Sequence, residues 1–140
     1  MSLVRLFHDI PGMSLARVWW IVGVFLVLAA LVVCLVPSRD IPSALEIGDK
    51  LSHLMGHTML AIYFAGLVPR NRWWKIFVFL LLFGAGIEVA QYYMHVGREG
   101  DPRDILANSA GALLGLLLAR LGLARWPELA GRLLGQRRPA

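Results

Sequence analysis

The residues able to do chemistry are gathered in two short stretches of an otherwise apolar chain. The first reads Asp49-Lys50-Leu-Ser-His53-Leu-Met-Gly-His57. Asp49, His53 and His57 recur at i, i+4 and i+8, a spacing that sets them on one face of a helix. The second runs from Glu88 to Asn108 and holds Gln91, Arg98, Asp101 and Asp104 between them. Glu88, Gln91 and His95 share a helical face by the same rule, and Asn108 lies one turn beyond Asp104. Carboxylates and imidazoles in one region suit proton transfer, which makes Glu88, His53 and Asp104 the candidates for a catalytic base or its orienting partner. Arg98 and Lys50 suit the binding of a phosphate or carboxylate by charge-assisted hydrogen bonds. Asp49, Gln91, Asp101 and Asn108 complete a candidate ligand-binding set. His57, one turn deeper, needs no more than a bond to a neighbouring helix. No Ser or Cys nucleophile motif accompanies the set, and neither a His-Glu-x-x-His motif nor a cysteine cluster is present, so no metal and no cofactor is expected.

These residues must be held by helices. Hydrophobic residues make up 58% of the 140, and the mean hydropathy is +0.64. Both exceed what a soluble domain carries. Four apolar runs, at about 18–36, 51–68, 73–96 and 105–123, approach or exceed the ~18 residues that cross a bilayer. The alternation of a barrel strand is missing, which leaves helices as the backbone state that satisfies its own hydrogen bonds in lipid. The expected architecture is all-α: four transmembrane helices (18–123), an interfacial N-terminal segment (1–17) and a basic amphipathic tail (124–140). Glu88 lies about 13 Å inward from Gly97 along a helix. A charged carboxylate there on the lipid face costs on the order of 3 kcal/mol, so Glu88 is expected to face the bundle and pair with a cation such as Arg98 or His53.

The 14 Lys and Arg are unevenly placed. Arg5 and Arg17 precede the first run, Arg70, Arg72 and Lys75 separate the second from the third, and five arginines follow from Arg120 onward. Only Arg39, Lys50, Arg98 and Arg103 fall on the other side. The positive-inside rule then puts both termini in the cytoplasm and the polar stretches at the outer surface of the membrane. The basic bias suits an anionic inner leaflet. No basic-aromatic surface is left to form a nucleic-acid groove, so no nucleic-acid partner is expected. The lone Cys34 excludes an internal disulfide and is read as a packing residue.

Local signals agree with helices at these places. Ser43-x-x-Glu46 has capping-box spacing. Asp101 is a natural N-cap, with Pro102 at the first helical position and Asp104 in the first turn. Gly84, Gly86, Gly111 and Gly115 are small residues of the kind that let membrane helices approach closely. Trp19, Trp20, Trp73 and Trp74 sit where indoles favour the headgroup level.

The ordered set Asp49-Lys50-x-x-His53, Glu88-x-x-Gln91, Arg98 and Asp101-x-x-Asp104-x-x-x-Asn108-x-x-Gly111-x-x-x-Gly115 resembles the VanZ-like family over residues 49–118. His57 departs from the family pattern. The resemblance implies a bacterial inner-membrane protein of about four spans, related to proteins associated with teicoplanin resistance. Two kinds of function are then expected. One is a pocket at the outer face that binds an anionic envelope lipid or a lipid-linked precursor and alters its display. The other is a membrane hydrolase or transferase acting on a lipid headgroup, with His53 or Glu88 as base and Asp104 orienting it. A plain structural or assembly role for the same polar residues is the third. The sequence names neither the lipid nor the oligomeric state.

Overall fold

A computed structural model describes residues 15–36, 48–94 and 101–133, and every regular element among them is helical. Helix α1 spans Leu15–Leu35, α2 Asp49–Leu67, α3 Trp73–Met94, α4 Pro102–Arg120 and α5 Trp126–Leu133. One-turn 3-10 segments, Arg70–Arg72 and Leu123–Arg125, lead into α3 and α5. The segment before residue 15, the Ser43–Glu46 capping box, His95, Arg98 and the end of the basic tail lie outside the described residues.

Two helical stretches, Leu15–Leu35 and Arg70–Met94, are long and apolar enough to cross a membrane. A third, in α4, counts only if it forms one broken span with the stretch Leu123–Leu133, from which it is bent by 72°. The bend has a local cause. Helix α4 ends at Arg120, and Gly122 takes a φ of 129°, a conformation that L side chains rarely adopt. The fourth run therefore stops short of residue 123, where hydropathy alone would carry it.

The largest helix pair is α2 with α4. It is close because Gly111 and Gly115 present bare backbone to α2. A Cβ at Gly111 would collide with the Leu54 carbonyl oxygen, and one at Gly115 with that of Thr58. The Thr58 hydroxyl donates to the Leu54 oxygen (2.8 Å) within its own helix and lies 3.0 Å from the Gly111 oxygen across the seam. Gly84 serves α3 in the same way: a Cβ there would come within 2.9 Å of Asn108 Cβ. Gly86, expected to do likewise, is exposed and would meet nothing within 4 Å among the described residues. It lies two positions from Gly84, on another side of α3, so it is not a packing glycine. Below the polar end the core is aliphatic and aromatic, built on Leu60, Ala61, Phe64, Leu80 and Ala112.

Helix α1 is more loosely attached. Only Val18 and Gly23 are buried along its length. Gly23 admits the Phe64 and Tyr63 rings, and the Tyr63 hydroxyl donates to the Trp19 carbonyl. Trp126, expected as an interfacial residue of the tail, instead docks on α2. Its indole fits against Gly66, donates to the Tyr63 carbonyl (3.1 Å) and stacks on the Tyr63 ring at 4.8 Å. The remainder of α5 keeps its apolar Leu129 and Leu133 exposed, as an amphipathic surface helix does.

Candidate functional site

Among the described residues, six polar or ionisable side chains are buried in this apolar bundle: His53, His57, Glu88, Gln91, Asp104 and Asn108. They come from α2, α3 and α4. Their convergence follows from the helix starts. Asp101 caps α4, its carboxylate accepting the Arg103 backbone N–H at 2.8 Å, with Pro102 at the first turn. That cap fixes the register that turns Asp104 and Asn108 inward toward α2 and α3. Asp49 is the first residue of α2, and Gly48 rather than Asp49 holds its N-cap position.

Lys50 closes the group from above. Its ammonium donates to Asp101 Oδ2 at 2.8 Å and to Asp104 Oδ1 at 2.9 Å, one carboxylate partly exposed and the other 1% exposed. The Lys50 side chain remains 54% exposed. Its hydrogen bonds to Asp101 and Asp104 hold the Lys50 ammonium above its ordinary 10.5. The same bond to Lys50, and then the Arg103 N–H, hold the Asp101 carboxyl below its ordinary 3.8.

Below Lys50, His53 Nδ1 lies 3.0 Å from Asn108 Oδ1. With the Asn108 amide in this orientation its oxygen accepts from Nδ1–H, and Nε2 faces Glu88 Oε1 at 3.8 Å. Glu88 Oε2 accepts the backbone N–H of Asp101 at 3.1 Å, which ties the buried carboxylate to the start of α4. Asn108, not Asp104, is thus the group in contact with His53 Nδ1, and Asp104 meets Lys50. Asn108 Nδ2 and Gln91 Oε1 are buried without a hydrogen-bond partner among the described residues.

The sequence-derived candidates divide accordingly. Lys50, His53, Glu88, Asp101, Asp104 and Asn108 come together. Gln91 sends its amide away from them, donating to the Cys34 carbonyl of α1 at 2.9 Å. His57 lies 3.0 Å from the His53 carbonyl of its own helix and also meets the Leu80 backbone of α3, the neighbouring helix. Arg98 and the side chain of Asp49 lie outside the described residues.

The profile of the VanZ/LLP1 family matches residues 2–124. The chain belongs to that family. No curated protein and no solved structure gives a significant match. Family membership and two apolar helices of spanning length point to a multi-pass membrane protein. In this VanZ/LLP1 chain one donor atom each from His53, Glu88 and Asp104 lies within 4.8 Å of the other two. Three buried donors at that spacing could hold a divalent cation, for which Lys50 on Asp104 would compete. They come from three separate helices, which is why no linear motif announces them.

Sequence reasoning missed two contacts. Thr58 crosses the α2–α4 seam, and its position one turn from Leu54 and opposite the Gly111-x-x-x-Gly115 pair is the signal that could have found it. The Trp126–Gly66 contact has no short-range signal, because it depends on the bend after α4.

Proposed function

We propose that the polar end of the bundle is a headgroup site for an anionic envelope lipid or lipid-linked precursor, in a protein of four spans with both termini in the cytoplasm and this end facing outward. One observation carries the reading. Ionisable and amide side chains converge from three helices beneath the half-exposed ammonium of Lys50, with one buried amide atom among them, Asn108 Nδ2, without a hydrogen-bond partner among the described residues. Interhelical glue satisfies its members, because a buried unpaired polar atom costs about 1–3 kcal/mol. A ligand supplies what is missing. Lys50, with Arg98 from the connection before α4, takes its phosphate or carboxylate. Glu88, Asp104 and Asn108 take its hydroxyl or amine groups. A change in how such a lipid is displayed is the route by which the protein would affect glycopeptide action, including that of teicoplanin.

The His53–Glu88 approach favours a second reading. An imidazole oriented by an amide and facing a carboxylate is an arrangement for moving a proton. The protein would then act as a hydrolase or transferase on the bound headgroup.

Native mass spectrometry of the full chain extracted from its membrane separates these readings. The wild type is expected to retain a lipid of defined mass that Lys50→Gln and Arg98→Ala lose while staying folded. Under the catalytic reading, Glu88→Gln keeps that lipid and leaves it chemically unchanged. Variants that only melt earlier, with no lipid lost, would reduce the cluster to structural glue.

A further inference from the structure

A second cavity lies at the other end of α2. It is a cleft of about 640 Å³ between α1, the end of α2 and the start of α3. Its walls are apolar, with Val24 and Leu28 on one side and Phe64, Ile76 and Phe79 on the other. Arg72 and Lys75 are its charged lining residues among those described. The cleft exists because α1 touches the bundle at few points, with only Val18 and Gly23 buried along it. Trp20 lines the same cleft and Trp74 is exposed close by, so its cationic mouth lies where indoles mark the headgroup level. Leu67, which also lines it, is 14 residues from His53, roughly 21 Å along α2. The two sites therefore sit toward opposite ends of α2.

We infer that this cleft binds one acyl chain of an anionic glycerophospholipid, whose phosphate is held by Arg72 and Lys75. Two features select this occupant. The cleft is lined almost wholly by apolar side chains, and its volume of about 640 Å³ falls in the ~300–1,000 Å³ range of small-molecule sites. The charge at the mouth is wholly positive, which complements a phosphate and disfavours a neutral or cationic headgroup. The site shares no residue with the polar end and stands independently of the function proposed for it.

The test offers the purified full chain equimolar phosphatidylglycerol and phosphatidylcholine with identical acyl chains, and reads retained lipid by native mass spectrometry. The wild type is expected to prefer phosphatidylglycerol. Arg72→Gln with Lys75→Gln, both exposed positions, should reduce that preference on the order of tenfold. Val24→Trp, which fills the cleft from an exposed position, should cut retention of both lipids. Arg120→Gln, an exposed cation that lines neither site, should leave both readings unchanged. An unchanged preference in the double variant, full retention in Val24→Trp, or a preference lost with Arg120→Gln would each overturn the assignment. A wild type that retains a second copy of itself in place of lipid would overturn it in favour of an interface between chains.

Discussion

The seam between α2 and α4 and the flank carrying α1 are built from similar apolar sequence but to different tolerances. At the seam, backbone meets backbone: Gly111 and Gly115 lie against the Leu54 and Thr58 carbonyls, and Thr58 bonds within its helix while reaching across. On the flank, α1 leans on a few large side chains and leaves a cleft of about 640 Å³. The difference matches the cargo of each region. The seam carries Lys50, His53, Asp104 and Asn108, whose contacts of 2.8–3.0 Å would be lost with a shift of an ångström. The flank holds α1 by hydrogen bonds to its backbone, from Tyr63 to the Trp19 carbonyl and from Gln91 to the Cys34 carbonyl (2.9 Å), and gathers no comparable polar cluster among the described residues, so it can stay looser.

The sharpest way to break this comparison is to add volume to each region. Gly111→Val and Gly115→Val drive carbon into backbone carbonyls that have no flexible end to move aside. Each is expected to cost about 3 kcal/mol or more, or to prevent accumulation of folded protein, read as the melting transition in detergent. Gly86→Ala is the internal control. It meets no described atom within 4 Å and should lie within about 0.5 kcal/mol of wild type. Equal losses at Gly86 and Gly111 would show that the seam is no tighter than the rest. Next in size is Asn108→Leu. It keeps the volume but removes the acceptor facing His53 Nδ1, leaving a buried donor unpaired, for about 1–3 kcal/mol. Smaller again is Val24→Ala on the flank, expected within about 0.5 kcal/mol because the side chain is already 57% exposed.

How much of this was legible in the sequence also differs between the regions. The helical class, the polar end and its main members follow from hydropathy and from the 3.6-residue period. Asp101, Pro102 and Asp104 announce the start of α4 through local capping rules, and the structure has that cap. Pairwise geometry across helices was not legible. Asn108 rather than Asp104 facing His53, and Gln91 reaching Cys34, are decided by how helices rotate against one another, and a single chain's period does not record that rotation. Gly84 and Gly86 show the limit plainly. Both are small residues in an apolar run, yet only the one facing Asn108 packs. The α1 cleft was invisible for the same reason, since an absence of packing leaves no mark on a uniformly apolar run.

The smallest expected effect is the one that best isolates the cap on the polar end. Lys50 and Asp101 are both exposed enough for solvent to screen them, so their link should move stability little, but its pH dependence has a definite sign. Asp101 is held below its ordinary 3.8, so its contribution is present above that value and is lost as pH falls through the lower folded value. Lys50 is held above its ordinary 10.5, so its contribution is present below that value and is lost as pH rises through the higher folded value. Between about 4 and about 10 the link should be constant. Melting temperatures of wild type and Asp101→Asn, which keeps a capping side chain and the Lys50–Asp104 bond, compared across pH in detergent, should therefore differ by a fixed small amount over that window and converge at its acid edge. A difference that instead changes near neutrality would mean that a group titrating there, and so not Asp101, sets the strength of the cap.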